Sequence, residues 1–228
     1  MTEAFDTYRD SYEKLVGDSI AFSGLKHDFF LAAKALLLAR LFAERFGKTA
    51  RPSLLDIGCG VGRLHPLLAP IVGRLAGTDV SGEAIERARA DNPGIEYRLG
   101  RDETLPFADA AFDVTTAVCV VHHVRPPLRR RFMAEMRRAT RPGGLVVLIE
   151  HNPWNPLTRL AVFRCPFDHD AELLGARQAR ALLARTGLRD IASRHFLLLP
   201  TLAPLAIRVE RCVAALPLGA QYAALGAV

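Results

Sequence analysis

The 228-residue chain has little lysine. Lys14, Lys26, Lys34 and Lys48 are the only ones, so its formal net charge of +6 rests on arginine. The arginines are spread, and many fall on expected helices: Arg87, Arg89, Arg137, Arg138, Arg177, Arg180 and Arg185. Only Arg129-Arg130-Arg131 forms a tight run. Such dispersal reads as solvated helix faces, so no nucleic-acid partner is expected. Cysteine is scarce too. Cys59, Cys119, Cys165 and Cys212 are scattered and form no C-x-x-C pair. Reduced thiols and a cytoplasmic location are the expectation. No uninterrupted apolar stretch reaches the ~18 residues a membrane span needs. The first residues, Met1 to Asp6, lack a basic n-region, so no secretory signal is expected. There is no internal repeat, low-complexity segment or interdomain linker. What remains is a chain that is 50% hydrophobic, enough for one α/β domain with a sizeable core.

One stretch carries most of the information. Leu54-Leu55-Asp56-Ile57 runs as an apolar strand into Gly58-Cys59-Gly60-Val61-Gly62, a G-x-G-x-G turn. Asp79 ends a second strand-like run nineteen residues after Gly60. This is the layout of a nucleotide-binding β-α-β unit, with glycines for close backbone approach and a distant carboxylate for ribose hydroxyls. Two details select the ligand. A dinucleotide fingerprint needs a third small residue where Arg63 stands. Asp56, directly before the turn, would repel a pyrophosphate and attract an ammonium or a sulfonium. S-adenosylmethionine (SAM) carries both, and its ribose suits Asp79.

The chain resembles a class I SAM-dependent methyltransferase of the broad small-molecule type. Further blocks follow in that family's order: Gly100 to Phe107 as the adenine loop, Ala111 to Val124 as the fourth strand and its exit, and Arg141 to Glu150 as the turn and fifth strand. Together they cover roughly residues 50 to 150. Four ordered blocks are far more specific than one glycine turn. The resemblance implies a Rossmann-like, seven-stranded, mostly parallel sheet with helices on both faces, the last strand antiparallel between strands five and six. Residues 1–28 are expected to form an N-terminal cap or lid, including Tyr8, Tyr12, His27 and Asp28; residues 29–228 form the SAM-binding domain.

Alternation of pattern independently predicts a parallel sheet covered on both faces. Strands are expected at Ser53–Ile57, Arg74–Asp79, Ile95–Leu99, Ala111–Val120, Leu145–Glu150, Arg189–Leu198 and Ala220–Val228. Helices are expected at Phe29–Phe46, Gly62–Ile71, from Ser81 to Ala90, at Pro127–Thr140, from Asp170 to Ala184 and at Pro204–Ala214.

Expected cofactor contacts are Asp56, Gly58, Cys59, Gly60, Asp79, Val80 and Cys119. In the adenine loop, many relatives carry Asp where Arg101 stands, so Asp102 or the backbone near Glu103 is expected to serve instead. His122 and His123 close strand four, where the sulfonium should lie. Adjacent residues on an extended segment point opposite ways, so one faces the pocket while the other packs. That pair alone supplies too few ligands for a metal; a cluster within Cys165-Pro166-Phe167-Asp168-His169-Asp170 is conceivable, but Asp170 reads rather as a helix cap, and no metal site is expected. His151, in Glu150-His151-Asn152-Pro153-Trp154-Asn155-Pro156, is the leading candidate for a base, on a segment that reads either as a pocket wall or as a rigid turn with a capping Asn. The partner is expected to be a small-molecule acceptor. Phe196 to Ile207 is the most apolar run outside the sheet; its end, Pro200 to Ile207, suggests a hydrophobic or lipid-linked acceptor and shallow membrane contact. An RNA or protein methyltransferase would want an added basic domain or a motif such as N-P-P-Y. A catalytically silent binder is the remaining alternative; Asp56, the glycines and Asp79 argue against it.

Overall fold

The computed structural model describes residues 12–101 and 104–228. Tyr8, Asp102 and Glu103 lie outside them. Two helices come first, α1 (Tyr12–Ile20) and α2 (His27–Phe46). The sheet strands are β1 (Ser53–Ile57), β2 (Arg74–Asp79), β3 (Glu96–Leu99), β4 (Phe112–Val118), β5 (Thr140–His151), β6 (Arg189–Phe196) and β7 (Gln221–Ala227). Between them lie α3 (His65–Leu68), α4 (Gly82–Asp91), α5 (Pro126–Ala139), α6 (Pro156–Arg164), α7 (Ala176–Arg185) and α8 (Pro204–Val213).

The sheet order is β3-β2-β1-β4-β5-β7-β6. β1 to β5 are parallel, and β7 inserts antiparallel between β5 and β6, as the resemblance implies. The order reverses between β1 and β4, so the carboxyl ends of those strands bound a crevice where open α/β sheets bind ligands. Two cores flank the sheet. Leu38, Leu41 and Phe42 of α2 pack with Leu54, Val114 and Val147 on one face. Met133 and Met136 of α5 and Leu183 of α7 pack with Leu55, Ala117 and Leu148 on the other. Strands buried on both faces must read as continuous apolar runs, which is why β1 and β5 stood out.

Several boundaries differ from expectation. The helix after the glycine turn is only α3 followed by a 3₁₀ turn at Ala69–Ile71, because Pro70 has no N–H to continue the α-helical ladder, whereas Pro66 in the first turn is tolerated. β5 begins at Thr140, since Thr140 pairs with Phe112 across a bulge where a turn was expected. Asp170 does not cap α7. It is exposed, and Gly175 precedes the helix with its N–H given to Gln178 Oε1 at 2.7 Å. The segment from Pro156 is a helix; Asn155 caps it by accepting the Thr158 N–H at 3.0 Å. The expected boundary at residue 28 falls inside the first turn of α2.

Candidate active site

The glycine turn leaves β1 with Gly58 and Gly60 at φ 72° and 53°. The two positions are constrained differently. A Cβ on Gly58 would lie 2.5 Å from Val120 Cγ2, so the turn packs against the exit of β4. A Cβ on Gly60 would meet nothing within 4 Å. Gly60 therefore faces open crevice, while its N–H donates to Asp79 Oδ2 at 2.8 Å. Asp79 Oδ1 accepts the Ser81 N–H at 3.0 Å. Burial raises the Asp79 carboxyl pKa even though these amide bonds pull the other way. Val80, next in line, is half exposed at the rim.

Asp56 sits beneath the turn, 3% exposed. Its Oδ1 accepts the Thr116 hydroxyl at 2.9 Å, and its Oδ2 lies 3.2 Å from His65 Nε2. His65 Nδ1 in turn meets the Tyr97 hydroxyl at 2.5 Å. A buried carboxylate needs such partners. The chain Tyr97–His65–Asp56–Thr116 ties β3, α3, β1 and β4 together under the turn. Arg63, where a dinucleotide binder would carry a small residue, reaches Asp28 Oδ1 at 3.3 Å and so links the turn to α2.

The second cluster lies at the carboxyl ends of β4 and β5. His122 is buried, with Nδ1 2.5 Å from Glu150 Oε2. Glu150 is fully buried and accepts the Val120 and Val121 N–H groups at its other oxygen, at 3.1 and 2.7 Å. Asp168 Oδ1 stands 3.4 Å from His122 Nε2 and 3.3 Å from His123 Nε2. Burial works against a charged His122 ring, but Glu150 and Asp168 outweigh it and lift its pKa to about 10. Burial also works against a charged Asp168, but the bonds from His122 and His123 outweigh it and hold it well below the usual carboxylate range. The His151 ring lies 5.2 Å from the His122 ring, and Gln221 Nε2 is 3.5 Å from His151 Nδ1 and 3.6 Å from Cys119 Sγ. Burial raises the Cys119 thiol, but Lys34 and His151 outweigh it and hold its pKa at about 7.

Residues 55–148 match the family described as a methyltransferase domain. The chain carries a class I SAM-dependent methyltransferase domain. The cofactor of this domain is SAM. Over 110 residues the chain is 36% identical to a demethylmenaquinone methyltransferase of Chlorobaculum parvum, covering 47% of this chain and 45% of that protein. Over 131 residues it is 34% identical to a ubiquinone biosynthesis O-methyltransferase of Rhizobium etli, covering 53% and 52%. It thus spans about half the length of these two curated relatives. A solved SAM-dependent methyltransferase of Thermotoga maritima, titled a possible histamine N-methyltransferase, matches all of this chain and 99% of its own with a TM-score of 0.70. At 18% identity that likeness speaks for the fold.

The residues present fit SAM. The open face at Gly60, the Asp79 carboxylate at the end of β2 and the exposed Val80 line one crevice. Deeper in, Gln221 is 5% exposed and its Oε1 has no hydrogen-bond partner among the described residues, an acceptor left over beside His151 and Cys119. Lys34 was not nominated from sequence, although it is 7% exposed and its charge acts on both Cys119 and His27. Glu150 was noticed without a role, and Asp168 only within Cys165 to Asp170, where a helix cap at Asp170 was preferred to a metal cluster. An acidic residue closing the apolar run Leu145 to Ile149 was the available signal for Glu150. For Asp168 the signal was its own Cys- and His-containing segment; nothing tied it to His123, forty-five residues earlier.

Proposed function

We propose that this methyltransferase moves the methyl group of SAM to an oxygen, nitrogen or carbon nucleophile on a small, apolar acceptor. SAM supplies an already activated methyl group, so the protein's task is alignment and exclusion of water. Asp79 takes the ribose hydroxyls, and the Gly60 face admits the ligand backbone-close. Asp56 acts from below as a positioning group, its negative charge favouring the ammonium. The described part of the cap, residues 12–28, closes the crevice from the α2 side, joined to the glycine turn through Asp28 and Arg63.

His151 is the base in this reading. His122, held doubly protonated between Glu150 and Asp168, accepts no proton near neutral pH. His151 is partly exposed at the same edge. Cys119 and Gln221 hold the ring in place, and an imidazole nitrogen with its lone pair towards the crevice is suited to receive an acceptor proton.

The observation that carries the choice of acceptor is apolar surface beside the site. Trp154, Leu157 and Phe163 are 77%, 60% and 79% exposed on and before α6, which follows His151. The two quinone-named relatives agree with an apolar acceptor. The same surface, with Leu205 of α8, supports shallow membrane contact. No helix of the described residues is long and apolar enough to cross a membrane. The test is label transfer from methyl-labelled SAM to a panel of lipophilic phenols and quinols and, in parallel, hydrophilic amines and peptides. Label confined to the hydrophilic set, or to RNA, rejects the reading.

A further inference from the structure

We propose that His122, His123 and Asp168 form a binding site for a divalent transition-metal ion of the zinc type, with a coordination position left open. Their ligand atoms, two imidazole nitrogens and a carboxylate oxygen, all lie within 4.8 Å of one another. Two imidazoles and one carboxylate with a free position is a donor set suited to zinc or ferrous iron.

Three observations support an ion over a plain hydrogen-bonded cluster. The first is spacing. The two nitrogen-to-oxygen separations, 3.4 and 3.3 Å, are long for charge-assisted hydrogen bonds, which run at about 2.7–2.9 Å. They equal the edge of a tetrahedron around an ion with bonds of ~2.0–2.1 Å, about 3.3–3.4 Å. The second is the outer shell. A metal-bound His usually gives its other ring N–H to a carboxylate, which fixes its tautomer. His122 does this with Glu150, itself anchored by two backbone amides. The third is access. His122 is buried, while the side chains of His123 and Asp168 keep 19% and 11% of their surface. The cluster is therefore reachable from solvent.

Binding replaces the Nε2 protons of His122 and His123 with the ion and releases them to solvent; no redox change occurs. The cluster adjoins the glycine turn through Val120, which packs on Gly58. An acceptor oxygen on the ion would be held at the edge where the methyl group arrives. That last role rests on the acceptor reading above; the binding itself does not.

The experiment uses the full chain, stripped with a chelator and without SAM. Co(II) is titrated while visible d–d absorption is followed, and equilibrium dialysis gives the stoichiometry. One ion per chain with a four- or five-coordinate spectrum, displaced by Zn(II), is expected. His123→Ala and Asp168→Asn should each weaken binding tenfold or more, with the fold checked by circular dichroism and SAM affinity by calorimetry. No saturable Co(II) uptake by the wild type, or equal uptake by both folded variants, overturns the site. Loss of the ion with SAM affinity retained separates this site from the cofactor crevice.

Discussion

Asp79 Oδ2 accepts the N–H of Gly60 at 2.8 Å. The carboxylate at the end of β2 therefore braces the turn at the end of β1, and the two halves of the crevice are one unit. Asp79→Ala removes the ribose acceptor and this brace together. Charge-assisted hydrogen bonds contribute about 1.5–3 kcal/mol each. Affinity for SAM and S-adenosylhomocysteine should fall together, by about tenfold or more. Unchanged calorimetric affinity in a folded variant would remove Asp79 from the site.

Gly58 and Gly60 should separate stability from binding. Both have positive φ, which costs an alanine about 1–2 kcal/mol. Gly58→Ala also drives a methyl into Val120 and should lower the thermal midpoint further. Gly60→Ala meets no protein atom and should fold with the smaller loss, yet bind SAM at least tenfold more weakly. Equal midpoints for the two variants would contradict the packing of Gly58 on the β4 exit.

Much of this was legible beforehand, for physical reasons. β1 and β2 have the expected ends because buried parallel strands leave unbroken apolar runs and their turns need glycine. Asp56, Gly60 and Asp79 were found because one βαβ unit holds them within twenty-four residues. The antiparallel β7 came only from family resemblance, since no local pattern encodes insertion between β5 and β6. The histidine–carboxylate cluster was half visible. His151 ends β5, but His122 and His123 stand in a 3₁₀ turn past β4 and not on the extended segment expected, so both rings reach Asp168 instead of pointing opposite ways; Asp168 itself arrives by way of α6, a contact no periodicity announces. Asp170 drew the capping assignment because Asp is a common N-cap, whereas Gln178 does that work for α7 from inside the helix.

His27 should make the protein acid-sensitive. Burial first, then the charges of Lys34 and Arg63, lower its pKa to about 4 from 6.5. The unfolded chain then binds the extra proton between those values, so stability is lost as pH falls from 6.5 towards 4. The loss is at most on the order of 3 kcal/mol. His27→Gln should flatten this part of the profile, measured by urea denaturation across the window. Parallel wild-type and variant curves would show that His27 titrates normally.

His151→Ala should lower turnover by about 10²-fold or more while leaving SAM affinity almost intact, as expected for a general base. If the variant matches the wild type at pH values on both sides of about 6.5, the ordinary His pKa, the base role is excluded. Cys119, held at a pKa of about 7, should alkylate readily near neutral pH, and SAM should slow that reaction. The buried Cys165 is the internal comparison by mass spectrometry.

The apolar surface gives the last prediction. Asn155 Nδ2 donates to Leu218 O at 2.9 Å, so the start of α6 and the chain before β7 form one face. Trp154, Leu157, Leu216 and Leu218 are each 49% exposed or more. Phe196 finishes β6 and Leu197 follows it inside the core, but Leu205, at 73% exposure, stands out on α8. Arg159 and Arg208 are exposed on the same two helices. Apolar side chains beside cations suit an anionic lipid surface, where each buried large side chain contributes about 1.5–3 kcal/mol. The wild type should float with anionic liposomes and less with neutral ones. A paired Trp154→Ser and Leu205→Ser variant should lose flotation, and its KM should rise for lipophilic acceptors presented in vesicles. Its kcat for water-soluble acceptors should hold. A wild type that never floats, with lipophilic and hydrophilic acceptors used alike, would leave this face as ordinary surface and the acceptor defined by the crevice alone.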